Sequence, residues 1–181
     1  ELGVDGFKLD AGDLRYYSPD QVTHGGGGAV AQCEAWARLG SEYRLNEMRA
    51  CWKLGGQPLA QRLHDKPRSW GIFGIESLIP EGIAQGLLGL AFNCPDMIGG
   101  GELTSFEDGS ELDQELFVRF AQASALFPMM QFSLVPWRVL DDEHLAAVKQ
   151  AVKIRQSLVD EISALFEHSA ATGEPILRPL A

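Results

Sequence analysis

The sequence predicts an α/β fold with parallel strands, a partial (β/α)8 TIM barrel of which about five strands are visible. Three observations carry this. Short apolar, strand-like runs alternate with segments of helical periodicity. Acids, arginines and glycines gather where those runs end. A complete barrel takes roughly 250 residues, whereas the chain has 181, so it can supply only part of one.

Asp5 to Leu9 reads as a strand that ends in the loop Asp10-Ala11-Gly12-Asp13. His24 to Gly28 is a glycine loop; no GK[ST] or GxGxxG follows it, so a phosphate cradle is not supported. Ala29 to Leu39 is helical, with Val30, Cys33 and Trp36/Ala37 on one stripe and Gly40 suited to the C-terminal cap. Tyr43 to Cys51 reads as a strand and Pro58 to Asp65 as another. Ser77-Leu78-Ile79-Pro80 starts a helix with proline in its first turn, and Ile79, Ile83 and Leu87 recur at intervals of four. Leu90 to Cys94 is a short apolar strand stopped by Pro95-Asp96 and by Gly99 to Gly101. Leu112 to Ala125 is a helix, Pro128 to Val135 a strand. Leu145, Val148, Val152, Val159, Ile162 and Phe166 mark one long last helix.

A net charge of −10 with no Lys/Arg cluster argues against a nucleic-acid surface. No run reaches transmembrane length, which argues against a membrane span. Cys33, Cys51 and Cys94 are odd in number and outside any CxxC spacing, so neither a disulfide framework nor a zinc site is expected. Each sits in an apolar stretch and reads as a small buried hydrophobe. Glu1 opens directly onto what reads as a core strand, without an initiator Met or leader. The expectation is that residues 1–181 are the C-terminal part of a catalytic barrel from a longer chain, with any localisation signal elsewhere.

In a parallel α/β barrel the functional groups sit at the C-terminal ends of strands. Lys8/Asp10, Arg49, Asp65 and Asp96 meet that condition on four successive strands. Lys8 and Asp10 are two apart and point to the same side of a strand. If that side is the interior, Lys8 sets a cation beside Asp10 and keeps it ionised, as a nucleophile requires; otherwise the two form a surface ion pair. Asp65 supplies a second carboxyl, as glycoside hydrolysis requires, or is a loop acid. Trp70 and Trp137 lie near strand ends, where aromatics serve as sugar platforms or as packing. His64 points away from Asp65 along its strand. A Ser–His–Asp triad has no GxSxG elbow to start from, and no His or further acid stands at metal-ligand spacing from Asp10 and Asp13.

The segments DGFKLDAGD, RLHDKPRSWG, SLIP, NCPDMIGGG and ELFVRFAQASALFPMMQFSLVPW, in this order, resemble glycoside hydrolase family 31. The likeness runs from Asp5 to the GEPILRPL ending and is to the branch that includes bacterial α-galactosidases. It implies strands four to eight of a (β/α)8 barrel and a retaining mechanism without metal or cofactor. The chain's partners would be a small carbohydrate substrate, the remainder of its own barrel and flanking β domains. By motif match, Asp10 falls at the nucleophile position and Asp65 at the acid/base position. Arg49, sixteen residues before Asp65, falls at a sugar-contacting arginine; Lys8, Trp70 and Asp96 fall at substrate contacts.

The resemblance further implies two steps, in which Asp65 protonates the leaving oxygen while Asp10 attacks, and Asp65 then activates water. Typical members carry a W-x-D-M-N-E-like nucleophile strand. Here it is Phe7-Lys8-Leu9-Asp10-Ala11-Gly12-Asp13, and K-x-D resembles the nucleophile strands of α-galactosidases. The expected substrate is therefore an α-galactoside. The alternatives are an α-glucosidase or α-xylosidase of the same family, and a non-catalytic carbohydrate-binding barrel remnant.

Overall fold

A computed structural model describes residues 3–62, 64–107 and 111–180. Strands β1 (Gly6–Leu9), β2 (Leu45–Met48), β3 (Ala60–Arg62) and β4 (Phe92–Cys94) form one sheet in that order. Every pairing in it is parallel, with Lys8 opposite Glu47, Met48 opposite Gln61 and Arg62 opposite Cys94. A second parallel pair joins β5 (Met97–Ile98) to β6 (Gln131–Phe132). Lys8 of β1 reaches Gln131 of β6 and Met97 of β5 with its ammonium group. The strands therefore curl, and side chains from the first and last of them meet on the concave side.

Parallel pairing demands crossovers, and helices supply most of them. Helix α1 (Ala29–Ser41) joins β1 to β2, and α2 (Leu78–Leu87) joins β3 to β4. Helix α3 (Gln114–Ser124) joins β5 to β6; α4 (Pro136–Val139), α5 (Asp142–Ser157) and α6 (Val159–Thr172) follow. Between β2 and β3 the crossover is a loop without a helix. The core lies in two parts. Ile98, Leu78, Phe117, Phe120, Ala121, Phe127 and Val148 join α2, α3 and α5 to β5. Ala37, Met48, Cys51, Leu54, Leu59 and Leu90 join α1 to the back of β2. All three cysteines are free and buried, as their apolar surroundings imply.

Several expectations are corrected. The strands are shorter than their apolar runs. The run from Pro128 to Val135 pairs only over Gln131–Phe132, and its flanks are tied by single bonds from Met129 N to Asn93 O and Ser133 N to Ile98 O. Leu63, within the expected third strand, lies outside the described residues. Helix α2 does not bury its stripe at fours: Ile79 and Leu87 are exposed, while Leu78, Gly82 and Gly86 face inward. Close approach decides this, since a Cβ on Gly82 would meet the Phe127 ring and one on Gly86 the Leu177 carbonyl. The long last helix is two. Leu158 leaves helical geometry (φ −98°, ψ 1°) and α6 sets off anew, burying Ile162 and stacking Phe166 on Phe92 at 4.3 Å.

Candidate active site

The four sequence candidates at strand ends meet at one place. Asp10 follows β1, Arg49 follows β2, Asp65 lies beyond β3 and Asp96 follows β4, all at the C-terminal edge of one parallel sheet. Arg49 Nη1 lies 2.7 Å from Asp65 Oδ2 and 3.1 Å from Asp10 Oδ1. Both oxygens contact one nitrogen, so their separation cannot exceed the sum of those two distances. Asp10 is the more open of the pair, with its side chain 64% exposed against 25% for Asp65.

The turn after β1 explains a residue that the sequence reading left aside. Ala11 and Gly12 both have left-handed backbone (φ 61° and 82°). Two such residues in succession reverse the chain, and glycine is required at the second because a Cβ there would strike the Trp36 ring. The reversal aims Asp13 back at the sheet, where its Oδ2 accepts from Arg49 Nε at 3.0 Å and Nη2 at 2.8 Å. Tyr16 adds its hydroxyl at 3.1 Å from the same Nη2. Burial by itself would lower the Arg49 guanidinium, but Asp13, then Asp65 and Asp10, outweigh it and hold it above its ordinary value.

Arg62 is the second residue that sequence reasoning missed. It ends β3 and is 2% exposed. Its Nη1 donates to Asp65 Oδ1 at 2.7 Å and to Asp96 Oδ1 at 2.8 Å, and its Nη2 to Asp10 Oδ1 at 3.1 Å. Its Nε lies 3.4 Å from Glu47 Oε1. As at Arg49, desolvation acts to lower the guanidinium and the surrounding carboxylates raise it further. The available signal was strand alternation. Glu47 and Arg49 lie two apart, as Lys8 and Asp10 do, and Lys8 is paired in register with Glu47.

Two expectations change in detail. Lys8 does not partner Asp10: its Nζ lies 2.9 Å from Glu47 Oε1 and 3.2 Å from Gln131 Oε1, and the cations beside Asp10 are Arg49 and Arg62. Asp96, expected at a substrate contact, is enclosed. It is 0% exposed, and Arg62 Nη1 and the Lys66 amide occupy its two oxygens. Burial pushes its carboxyl above the ordinary range, against the lowering effect of the Lys66 and Met97 amides and of Arg62. Trp70 is half-exposed in the loop after β3, its Nε1 donating to Asp113 Oδ2 at 2.8 Å. His64 does turn away from Asp65, toward Glu81 at 3.7 Å.

Other chemistry is poorly served. Among the described residues no group of three or more His, Cys, Asp or Glu side chains is arranged to hold a metal ion. Burial pushes the Cys51 and Cys94 thiols up to about 12, which leaves neither as a thiolate at neutral pH. An apolar cavity of about 490 Å³, lined by Leu14, Cys33, Cys51, Trp52, Leu88 and Leu90, lies beside Asp13 and gathers no pair of carboxylates. No helix is long and apolar enough to cross a membrane among the described residues.

No family model matches the chain. Over 188 residues it is 34% identical to the myogenesis-regulating glycosidase of Mus musculus, covering 98% of this chain and 26% of that protein. Over 113 residues it is 31% identical to a probable glucan 1,3-alpha-glucosidase of Oryza sativa subsp. japonica, covering 59% of this chain and 11% of that protein. Among solved structures, a GH31 family sulfoquinovosidase from E. rectale, in complex with an aza-sugar inhibitor, matches with a TM-score of 0.79 at 20% identity. That match covers 98% of this chain and 29% of the other, and it shows a shared α/β fold. The chain thus spans only about a quarter of the length of the mouse relative.

Proposed function

We propose a function from one premise: the chain belongs to glycoside hydrolase family 31. The activity is hydrolysis of an α-linked glycoside with retention, Asp10 acting as nucleophile and Asp65 as acid/base. In this reading β1, β2 and β3 are barrel strands four to six. Strand seven is β4 with β5, interrupted at Pro95-Asp96, and β6 is strand eight. The remaining strands, and flanking β domains, are the chain's neighbours around a small carbohydrate substrate.

One observation carries the reading, the contact of Asp10 Oδ1 and Asp65 Oδ2 with the same Arg49 nitrogen at 3.1 and 2.7 Å. The resulting upper limit on the separation of these two oxygens admits the ~5–5.5 Å of retaining pairs. Asp10 attacks the anomeric carbon while Asp65 gives its proton to the leaving oxygen; Asp65 then takes a proton from water as the sugar leaves Asp10. Hydroxyl groups of the substrate are suitable acceptors for the Arg49 guanidinium.

The substrate we infer is an α-galactoside, because the Lys8-Leu9-Asp10 spacing resembles α-galactosidase nucleophile strands. An α-glucoside is the second reading, favoured by the name of the rice relative; an α-xyloside is a third. Chromogenic α-galactoside, α-glucoside and α-xyloside assayed on the natural full-length protein discriminate these. Faster turnover of the galactoside is expected, and no preference for it would overturn that choice. Asp10→Asn should lower kcat by at least about 10³-fold. Undiminished activity would remove Asp10 from the mechanism, and a wild type inactive on every glycoside would favour a carbohydrate-binding remnant.

A further inference from the structure

Arg62 touches both Asp10 and Asp65, yet it is held from beneath by two further acids with little or no exposure. Asp96 is completely buried and accepts from Arg62 Nη1 at 2.8 Å. It sits in left-handed backbone (φ 82°), fixed by the Lys66 amide at 2.8 Å, and Gly101 leaves room for its carboxylate where a Cβ would lie 2.5 Å from Oδ2. Glu47, on the next strand, approaches Arg62 Nε at 3.4 Å and is itself paired with Lys8. From this clamped base the guanidinium reaches up to Asp65 Oδ1 at 2.7 Å and Asp10 Oδ1 at 3.1 Å. Arg49 holds the same two acids, but from the side of Asp13 and Tyr16. A planar fork can serve several carboxylates at once in fixed geometry, and a lysine at this position could not.

We propose that Arg62, locked by Asp96, is a positioning residue that aims the Asp65 carboxyl at the leaving oxygen; this rests on the hydrolase reading above. In the first step the bond from the anomeric carbon to the leaving oxygen breaks as the bond to Asp10 forms, and the Asp65 proton moves to that oxygen. Arg62 makes no bond to the sugar and changes no protonation. Its contribution is orientation, so its loss falls on kcat and falls hardest where the leaving group needs a proton.

The test compares two substrates of whichever sugar the natural full-length wild type hydrolyses. A methyl α-glycoside requires protonation to leave, whereas an α-glycosyl fluoride requires little. The variants are Arg62→Lys, which keeps the charge without the fork, and the double variant Arg62→Met with Asp96→Leu. The double variant removes both buried charges together and avoids stranding Asp96 unpaired. We expect KM to change by less than about threefold. We expect kcat to fall about 10²-fold on the methyl glycoside and about tenfold less than that on the fluoride, with Arg62→Lys intermediate. If the double variant does not fold, Arg62→Lys carries the comparison alone. Unchanged kcat, a loss confined to KM, or equal losses on the two substrates overturns the proposal while leaving the hydrolase reading intact. A wild type inactive on both classes overturns the hydrolase reading, and this proposal with it.

Discussion

Lys8 and Glu47 form a 2.9 Å ion pair between paired positions of β1 and β2. The pair sets Lys8 two residues before Asp10 and ties it to the interior chain Glu47–Arg62, with Gln131 of β6 accepting from the same ammonium. Lys8 remains 43% exposed at its side chain, so one face of it stays open to a substrate hydroxyl. If Lys8 reads the sugar, Lys8→Met lowers kcat/KM on the α-galactoside by about 10- to 100-fold and on the α-glucoside by clearly less. Steady-state kinetics on both substrates check this. Equal losses would make Lys8 a structural partner of Glu47 and nothing more.

Asp113 has two tasks that one substitution separates from the acid cluster. It caps α3, its Oδ1 accepting from Leu116 N at 2.9 Å, and its Oδ2 accepts from Trp70 Nε1 at 2.8 Å. Those two hydrogen bonds, in that order, hold its carboxyl below the ordinary range. Asp113→Ala should cost about 1 kcal/mol of stability, the usual value of an N-cap, and should release the Trp70 loop. Denaturant unfolding reads the first effect and tryptophan fluorescence the second. Unchanged stability and emission would show that neither contact persists in solution.

Asp96 makes stability depend on pH in a direction opposite to that of an ordinary paired acid. Burial raises its carboxyl in the folded protein, so the folded state binds this proton more tightly than the unfolded chain does. The contribution is fully present below the unfolded value of about 4 and is lost as pH rises through the raised folded value. The stability of wild type relative to Asp96→Asn should therefore fall as pH rises above about 4, as measured by parallel denaturant titrations. A relative stability that rises over this range would reverse the assignment.

The strand ends were legible in the sequence because they obey a simple pattern: an apolar run stops and a charged residue follows, as at Leu9-Asp10 and Met48-Arg49. That pattern brought Asp10, Arg49, Asp65 and Asp96 to one edge. It could not tell which of them face a ligand, since burial depends on what other strands place there, and Asp96 proves to be enclosed under Arg62. Arg62 was missed because it lies inside a strand rather than after one. Asp13 was missed because its direction depends on left-handed backbone at Ala11 and Gly12. The α2 stripe misled because glycines, which carry no hydrophobic signal, mark the face of closest approach.

The central claim is that Asp10 forms the covalent bond to the sugar. A fluorinated α-glycosyl fluoride that slows release of the intermediate, incubated with the natural full-length protein and followed by proteolysis and mass spectrometry, tests it most directly. The account predicts a glycosyl adduct on the peptide that contains Asp10, mapped by fragmentation to Asp10 itself. It also predicts that the adduct is absent from Asp10→Asn. An adduct on Asp13 or Asp65, or turnover of the reagent with inversion and no adduct, would contradict it.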